Sequence, residues 1–80
     1  MKLSSIPKYF FNVVDNGLST VDTHGRRFGN DQEARQYAEH VAMLLADPAR
    51  DQRPDRSFIA VTGEDGRLVV KVPLPRPPHV

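Results

Sequence analysis

The chain contains no cysteine and no tryptophan, and only two methionines and five glycines among its 80 residues. Without cysteine there are no disulfides, no thiolate nucleophile and no cysteine zinc site, which fits a reducing compartment. Long apolar runs are missing too: no stretch approaches the roughly 18 residues of a membrane span. Met1 to Pro7 holds one lysine but no apolar core of signal-peptide length, so a soluble, cytoplasmic protein is expected. Nor is there an excess of one charge. Eleven Lys and Arg stand against ten Asp and Glu, a formal net charge of +1. Binders of nucleic acid or anionic membranes concentrate positive charge, so neither partner is expected. The length leaves room for one small domain with a thin core.

What is present is alternation, then a helix, then alternation again. Lys8 to Val14 is rich in aromatic and β-branched residues, and Asp15-Asn16-Gly17 follows it with the residue types of a tight hairpin turn. Leu18 to Asp22 reads as a short returning strand, and His24-Gly25 as a second turn. Along the first strand Tyr9, Phe11 and Val13 share one face, and Lys8, Phe10, Asn12 and Val14 the other. The first set is cleanly apolar and forms the expected core face.

Asn30 is a helix cap, with Glu33 three residues later in capping-box position. Ala34, Tyr37, Ala38, Val41, Ala42, Leu44 and Leu45 then fall on one apolar arc, with Gln32, Arg35, Gln36 and Glu39 opposite. Ala34, Ala38 and Ala42 allow close approach to a sheet, and Pro48 ends the pattern near Asp47. Asp47 to Arg56 is a polar connector. Ser57 to Thr62 alternates again, with Ile59 and Val61 inward and Phe58 and Ala60 outward. After the Gly63 to Gly66 turn, Arg67 to Val72 returns with Leu68, Val70 and Val72 inward. The expected fold is α+β: a two-layer ββαββ domain, one helix on a four-stranded, mostly antiparallel sheet. The expected organisation is a leader at 1–7, the domain at 8–72, and a Pro-rich extended tail at 73–80 whose four prolines preclude a helix.

Tyr9-Phe10-Phe11-Asn12-Val13, the Asp15-Asn16-Gly17 turn, Asp22 with Gly25, Glu33-Ala34 with Ala38, Val61, Asp65-Gly66 and Val72-Pro73 form a recognisable series. It resembles a family of small, mostly alphaproteobacterial domains of unknown function that open with an Arg-Tyr-Phe-Phe-Asp-Val-like strand. The resemblance spans about residues 8–73, with Lys8 and Asn12 standing where that family commonly shows Arg and Asp. It implies a bacterial, cytoplasmic single domain and brings no activity and no catalytic residues. A fainter similarity, through Gly25, Phe28 and the Glu33-Ala34 helix start, is to antitoxins of the HicB type. It implies a regulatory partner of a toxin or nucleic-acid system.

Chemistry is hard to find in these residues. His24, His40 and His79 form no i,i+4 pair and no carboxylate-rich ligand motif, so neither a metal nor another cofactor is expected. No Gly-x-Ser-x-Gly elbow frames Ser19 or Ser57. Asp15, Asp22 and Asp65 stand at or beside turns, where carboxylates bond the local backbone. The glycines occur singly, without a phosphate-cradling loop. Neither an enzyme nor a small-molecule substrate is evident. Arg26-Arg27-Phe28 is a small basic-aromatic cluster, and Arg50, Arg53 and Arg56 alternate with aspartates that cancel their field. The remaining feature is the second sheet face. Phe10, Val14, Phe58 and Val69 are assigned to it, away from the helix, and Met43 points away from the helix's apolar arc. Phe10 must be exposed, covered by the Pro-rich tail, or buried against another chain, and the last is favoured. The expected function is a non-catalytic protein-interaction module, with a homodimer as one form of it.

Overall fold

The computed structural model describes residues 6–47 and 56–75. Much of the expected leader, most of the connector with Arg50 and Arg53, and the end of the tail with His79 lie outside them. The elements are β1 (Lys8–Asp15), β2 (Leu18–Thr20), β3 (Arg26–Arg27), α1 (Asp31–Leu44), β4 (Phe58–Gly63) and β5 (Leu68–Pro73). The sheet runs β2-β1-β4-β5 with every pair antiparallel, and β3 joins β1 on the edge that β2 also uses. This is an α+β fold, one helix on one face of an open antiparallel sheet.

Local chemistry sets each element. Asn16 and Gly17 have φ of 52° and 83°, the paired positive values of a tight hairpin turn. That turn is anchored to the chain entering β4. The Gly17 amide donates to the Arg56 carbonyl at 3.0 Å, and the Asn16 amide donates to Ser57 Oγ at 3.0 Å. Ser57 Oγ in turn donates to Asp15 Oδ1, so this buried hydroxyl is satisfied on both sides. At the helix start Asn30 Oδ1 accepts from the Glu33 amide at 2.9 Å. Glu33 Oε1 reaches back to accept from the Gly29 amide at 2.8 Å. The reciprocal cap forms one residue earlier than the standard box.

The core lies between α1 and the helix-side face of the sheet. Ala34, Ala38, Ala42, Ile59 and Val61 are fully or almost fully buried, with Tyr9, Val72 and Leu74 close behind. Register explains the set: Val13 faces Ile59, Ile59 faces Val72, and Phe11 faces Val61. Leu74 donates its amide to the Ser57 carbonyl, so the packed structure continues past residue 72 into the start of the Pro-rich stretch.

Three expectations are corrected. The arc's last members are not core: Leu44 is 72% exposed and Leu45 38%. The alanine stripe seats α1 over β4 and β5. Four strands at about 4.8 Å spacing are wider than a helix of about 10 Å. The helix row through Tyr37, Val41 and Leu44 therefore faces toward β1, where Tyr37 and Val41 are half-buried and Leu44 is left in solvent. Leu68 is exposed rather than inward, because β5 carries a bulge: Val61 pairs with Val70 but Thr62 pairs with Leu68. The extra residue is Val69, which packs against the core cluster on the helix side instead of the opposite face. Finally, the chain after Asp22 is not simply a turn, since Arg26 and Arg27 form β3.

Ile59→Ala is expected to cost about 3 kcal/mol, because it removes fully buried methyl groups from a small core. Leu44→Ala is expected to change stability by less than about 0.5 kcal/mol. Urea denaturation of both variants checks this, and a comparable loss at Leu44 would place it in the core after all.

Candidate functional site

The free edge of β1 is organised by a side chain. β2 pairs with residues 13–15 of β1 and β3 with residues 8–9, which leaves a gap between them. Asp22 fills it. Its Oδ2 accepts the Phe11 amide at 3.1 Å, and its Oδ1 accepts the His24 and Gly25 amides, each at 3.0 Å. Asn12 Oδ1 accepts the Asp22 amide at 2.9 Å, closing the exchange. Burial alone would raise the Asp22 carboxyl, but the Gly25, Phe11 and His24 amides outweigh it and hold the group below its ordinary value. Gly25 completes the turn with φ of 74°, and a Cβ there would meet Lys8 Cγ at 2.8 Å and Phe10 Cε2 at 3.0 Å.

The turn delivers Phe28 into the core layer. Phe28 meets Tyr9, Phe11 and Tyr37 at centroid distances of 6.3, 5.9 and 5.2 Å, and Phe11 meets Tyr37 edge-on at 5.0 Å. Tyr9 ties this cluster to the helix start, its hydroxyl donating to Asp31 Oδ1 at 2.7 Å. Burial and the Asp31 carboxylate push the phenol up to about 12. Strand alternation separates the two arginines. Arg26 pairs with Tyr9 on the helix side and lies over the Tyr37 ring at 4.9 Å. Arg27 pairs with Lys8 and donates to the Ile6 carbonyl at 2.7 Å.

Of the four residues assigned to the open face, the structure brings three together. Val14 lies directly opposite Phe58 across the β1–β4 pair, and Phe10 is two positions along the same face from Asn12. All three are half-buried within the chain, and Lys71 extends along Phe58 with its ammonium 4.7 Å from the ring centroid. Val69 is on the other side, for the reason given above. His24 and His40 are exposed, and among the described residues no group of three His, Asp or Glu is placed to hold a metal ion. No helix among them is long and apolar enough to cross a membrane. Sequence reasoning placed Asp22 at a turn but missed its bond to Phe11, because a contact spanning eleven residues has no local signature.

The model of a family described as a domain of unknown function (DUF6894) matches residues 8–75, which spans every element described above. No curated protein and no solved structure matches the chain.

Asp22→Asn preserves shape but turns an amide donor toward a backbone amide that needs an acceptor. A loss of about 1–3 kcal/mol is expected. The pH dependence has a definite sign. A carboxyl held low in the fold contributes its stability above the unfolded value of about 4, and loses it as pH falls through the folded value. Denaturation midpoints of the native chain should therefore fall below about pH 4, and the Asn variant should show a shallower fall. Parallel acid limbs in the two proteins would remove Asp22 from this role.

Proposed function

Since the chain belongs to the DUF6894 family, whose description assigns no function, we propose that it is a non-catalytic protein-interaction module that pairs with a second copy through its open sheet face. The observation that carries this reading is the placement of Phe10, Val14 and Phe58 on one face, opposite the only described helix. An aromatic-bearing face without a second layer is the kind of surface that marks a protein contact. The rim is basic: Lys8 and Lys71 lie on the same face, and Lys71 covers Phe58 with its stem while its charge stays outward. Stacking two such faces brings like charges together, so the association should tighten as salt rises. The cysteine-free composition supports a reducing, cytoplasmic setting for this contact.

The alternative, an antitoxin-like partner in a nucleic-acid system, would draw on Arg26 and Arg27. Their separation onto opposite faces of the sheet does not favour it: Arg27 is left beside Lys8 and Arg26 beside Tyr9, so the two arginines do not combine into a phosphate-tracking stripe.

Sedimentation equilibrium tests the first reading. The native chain is expected to dimerise, and Phe10→Lys and Val14→Lys to be monomeric with unchanged circular dichroism. A native chain that stays monomeric at high micromolar concentration in raised salt would sink self-association. Binding to duplex or single-stranded DNA is expected to be weak at physiological salt. Tight, salt-sensitive binding lost on changing Arg26 and Arg27 to Ala would favour the antitoxin-like reading instead.

A further inference from the structure

A second surface lies on the other side of the sheet, where α1 covers β1 only in part. There a groove of about 290 Å³ runs between the strand and the helix. Its walls are Phe11 and Val13 from β1 and Tyr37 and Val41 from α1, all half-buried. Arg26, His24 and Asp22 stand at its margin, the first and last of them charged. The two charges are not equivalent. Both Asp22 oxygens already accept backbone amides, so that carboxylate is occupied and its charge is spread over three N–H dipoles.

Arg26 is different from every other arginine among the described residues. Arg27 donates to the Ile6 carbonyl, Arg35 to Glu39, and Arg56 to the Asn16 carbonyl, while Arg67 pairs with Asp31. Arg26 has no polar acceptor among the described residues and only the Tyr37 ring beneath it. A guanidinium lying over a ring face spends none of its N–H donors on that contact. Here that guanidinium borders an apolar groove. Such a pairing, a lipophilic cleft with a few polar groups at its rim, is the usual make-up of a small-ligand site.

We propose that the groove binds a small apolar carboxylate: a ring or branched body lying between Phe11, Val13, Tyr37 and Val41, with the acid group paired to Arg26. The volume of about 290 Å³ falls just short of drug-sized ligand pockets, which run from about 300 to 1,000 Å³. It suits one ring system with a short acid arm and excludes a nucleotide. The site is independent of the open face, because Arg26 shares its side of the sheet with Tyr9, opposite Phe10.

The test is a titration of the full chain followed by two-dimensional amide NMR, with indole-3-acetate, indole-3-acetamide and acetate as probes. Indole-3-acetate should give saturable shifts at the amides of Phe11, Val13, Gly25, Arg26 and Val41. The neutral amide should bind at least about ten-fold more weakly, the size of one lost charge-assisted hydrogen bond, and acetate alone should not saturate. Arg26→Gln, an exposed position, should keep the native spectrum and lose about the same ten-fold. No saturable shift up to about 10 mM acid would overturn the proposal, since that concentration lies well above any meaningful affinity. Equal binding of acid and amide would do so as well, and that comparison uses the unaltered chain. Shifts confined to Phe10, Val14 and Phe58 would likewise refute it.

Discussion

The acceptance of three backbone amides by Asp22 is the interaction on which the first half of the fold depends. A central strand must find partners for its polar groups along both edges. β4 serves one edge of β1 throughout, but the other is shared by two short strands with a gap between them. The Asp22 carboxylate supplies the missing acceptor at Phe11 and, through the same two oxygens, closes the turn over His24 and Gly25. That turn reverses the chain in a space where only glycine fits, against Lys8 and Phe10. β3 exists because the reversal is held, and Phe28 enters the ring cluster because β3 exists. One carboxylate thus links an edge hydrogen bond, a backbone turn and the aromatic half of the core.

The second constraint is the smallness of the helix's buried stripe. Ala34, Ala38 and Ala42 bring α1 close to β4 and β5, and the close approach lets Ile59 and Val61 be wholly excluded from water. Close packing on one half of the sheet leaves the other half only partly roofed, by Phe28 and Tyr37. Phe11, Val13, Tyr37 and Val41 then line a groove instead of a sealed interior. The ring cluster compensates in part, since edge-on aromatic contacts add stabilisation beyond area burial, about 0.5–1.5 kcal/mol per pair.

Much of this architecture was legible in the residues themselves. Asn16-Gly17 announces its turn because few other pairs accept two positive φ values, and the Asn30 and Glu33 spacing announces the helix start. Alternation from Tyr9 to Val13 and at Ile59 and Val61 assigned the core face correctly. The failures share a cause. Val69 and Leu68 were misplaced because one bulged residue inverts every face assignment beyond it, and no residue there marks the bulge. Leu44 was misplaced because helical periodicity reports which residues share a side, not how far the sheet extends beneath them. The long-range half of the Asp22 network was invisible for the same reason: pattern records neighbours along the chain, and this bond joins residues from different strands.

These failures bear directly on where function is sought. Read as pattern, Arg26-Arg27 is a single basic dipeptide, and its natural partner is a phosphate. Folded, the pair is divided by the pleat of β3. Arg27 joins Lys8 on one face and is held by the Ile6 carbonyl, while Arg26 lies over Tyr37 beside the uncovered groove. Arg27 and Lys8 stand side by side, but two cations are not a phosphate-tracking row, and the chemistry of each arginine is set by its own surroundings. A cation beside lysines and aromatic residues on an open face favours a macromolecular contact. A cation over a ring at the end of an apolar groove favours a compact acid. The alternation that divides Arg26 from Arg27 is what gives the two faces of the sheet different chemistry.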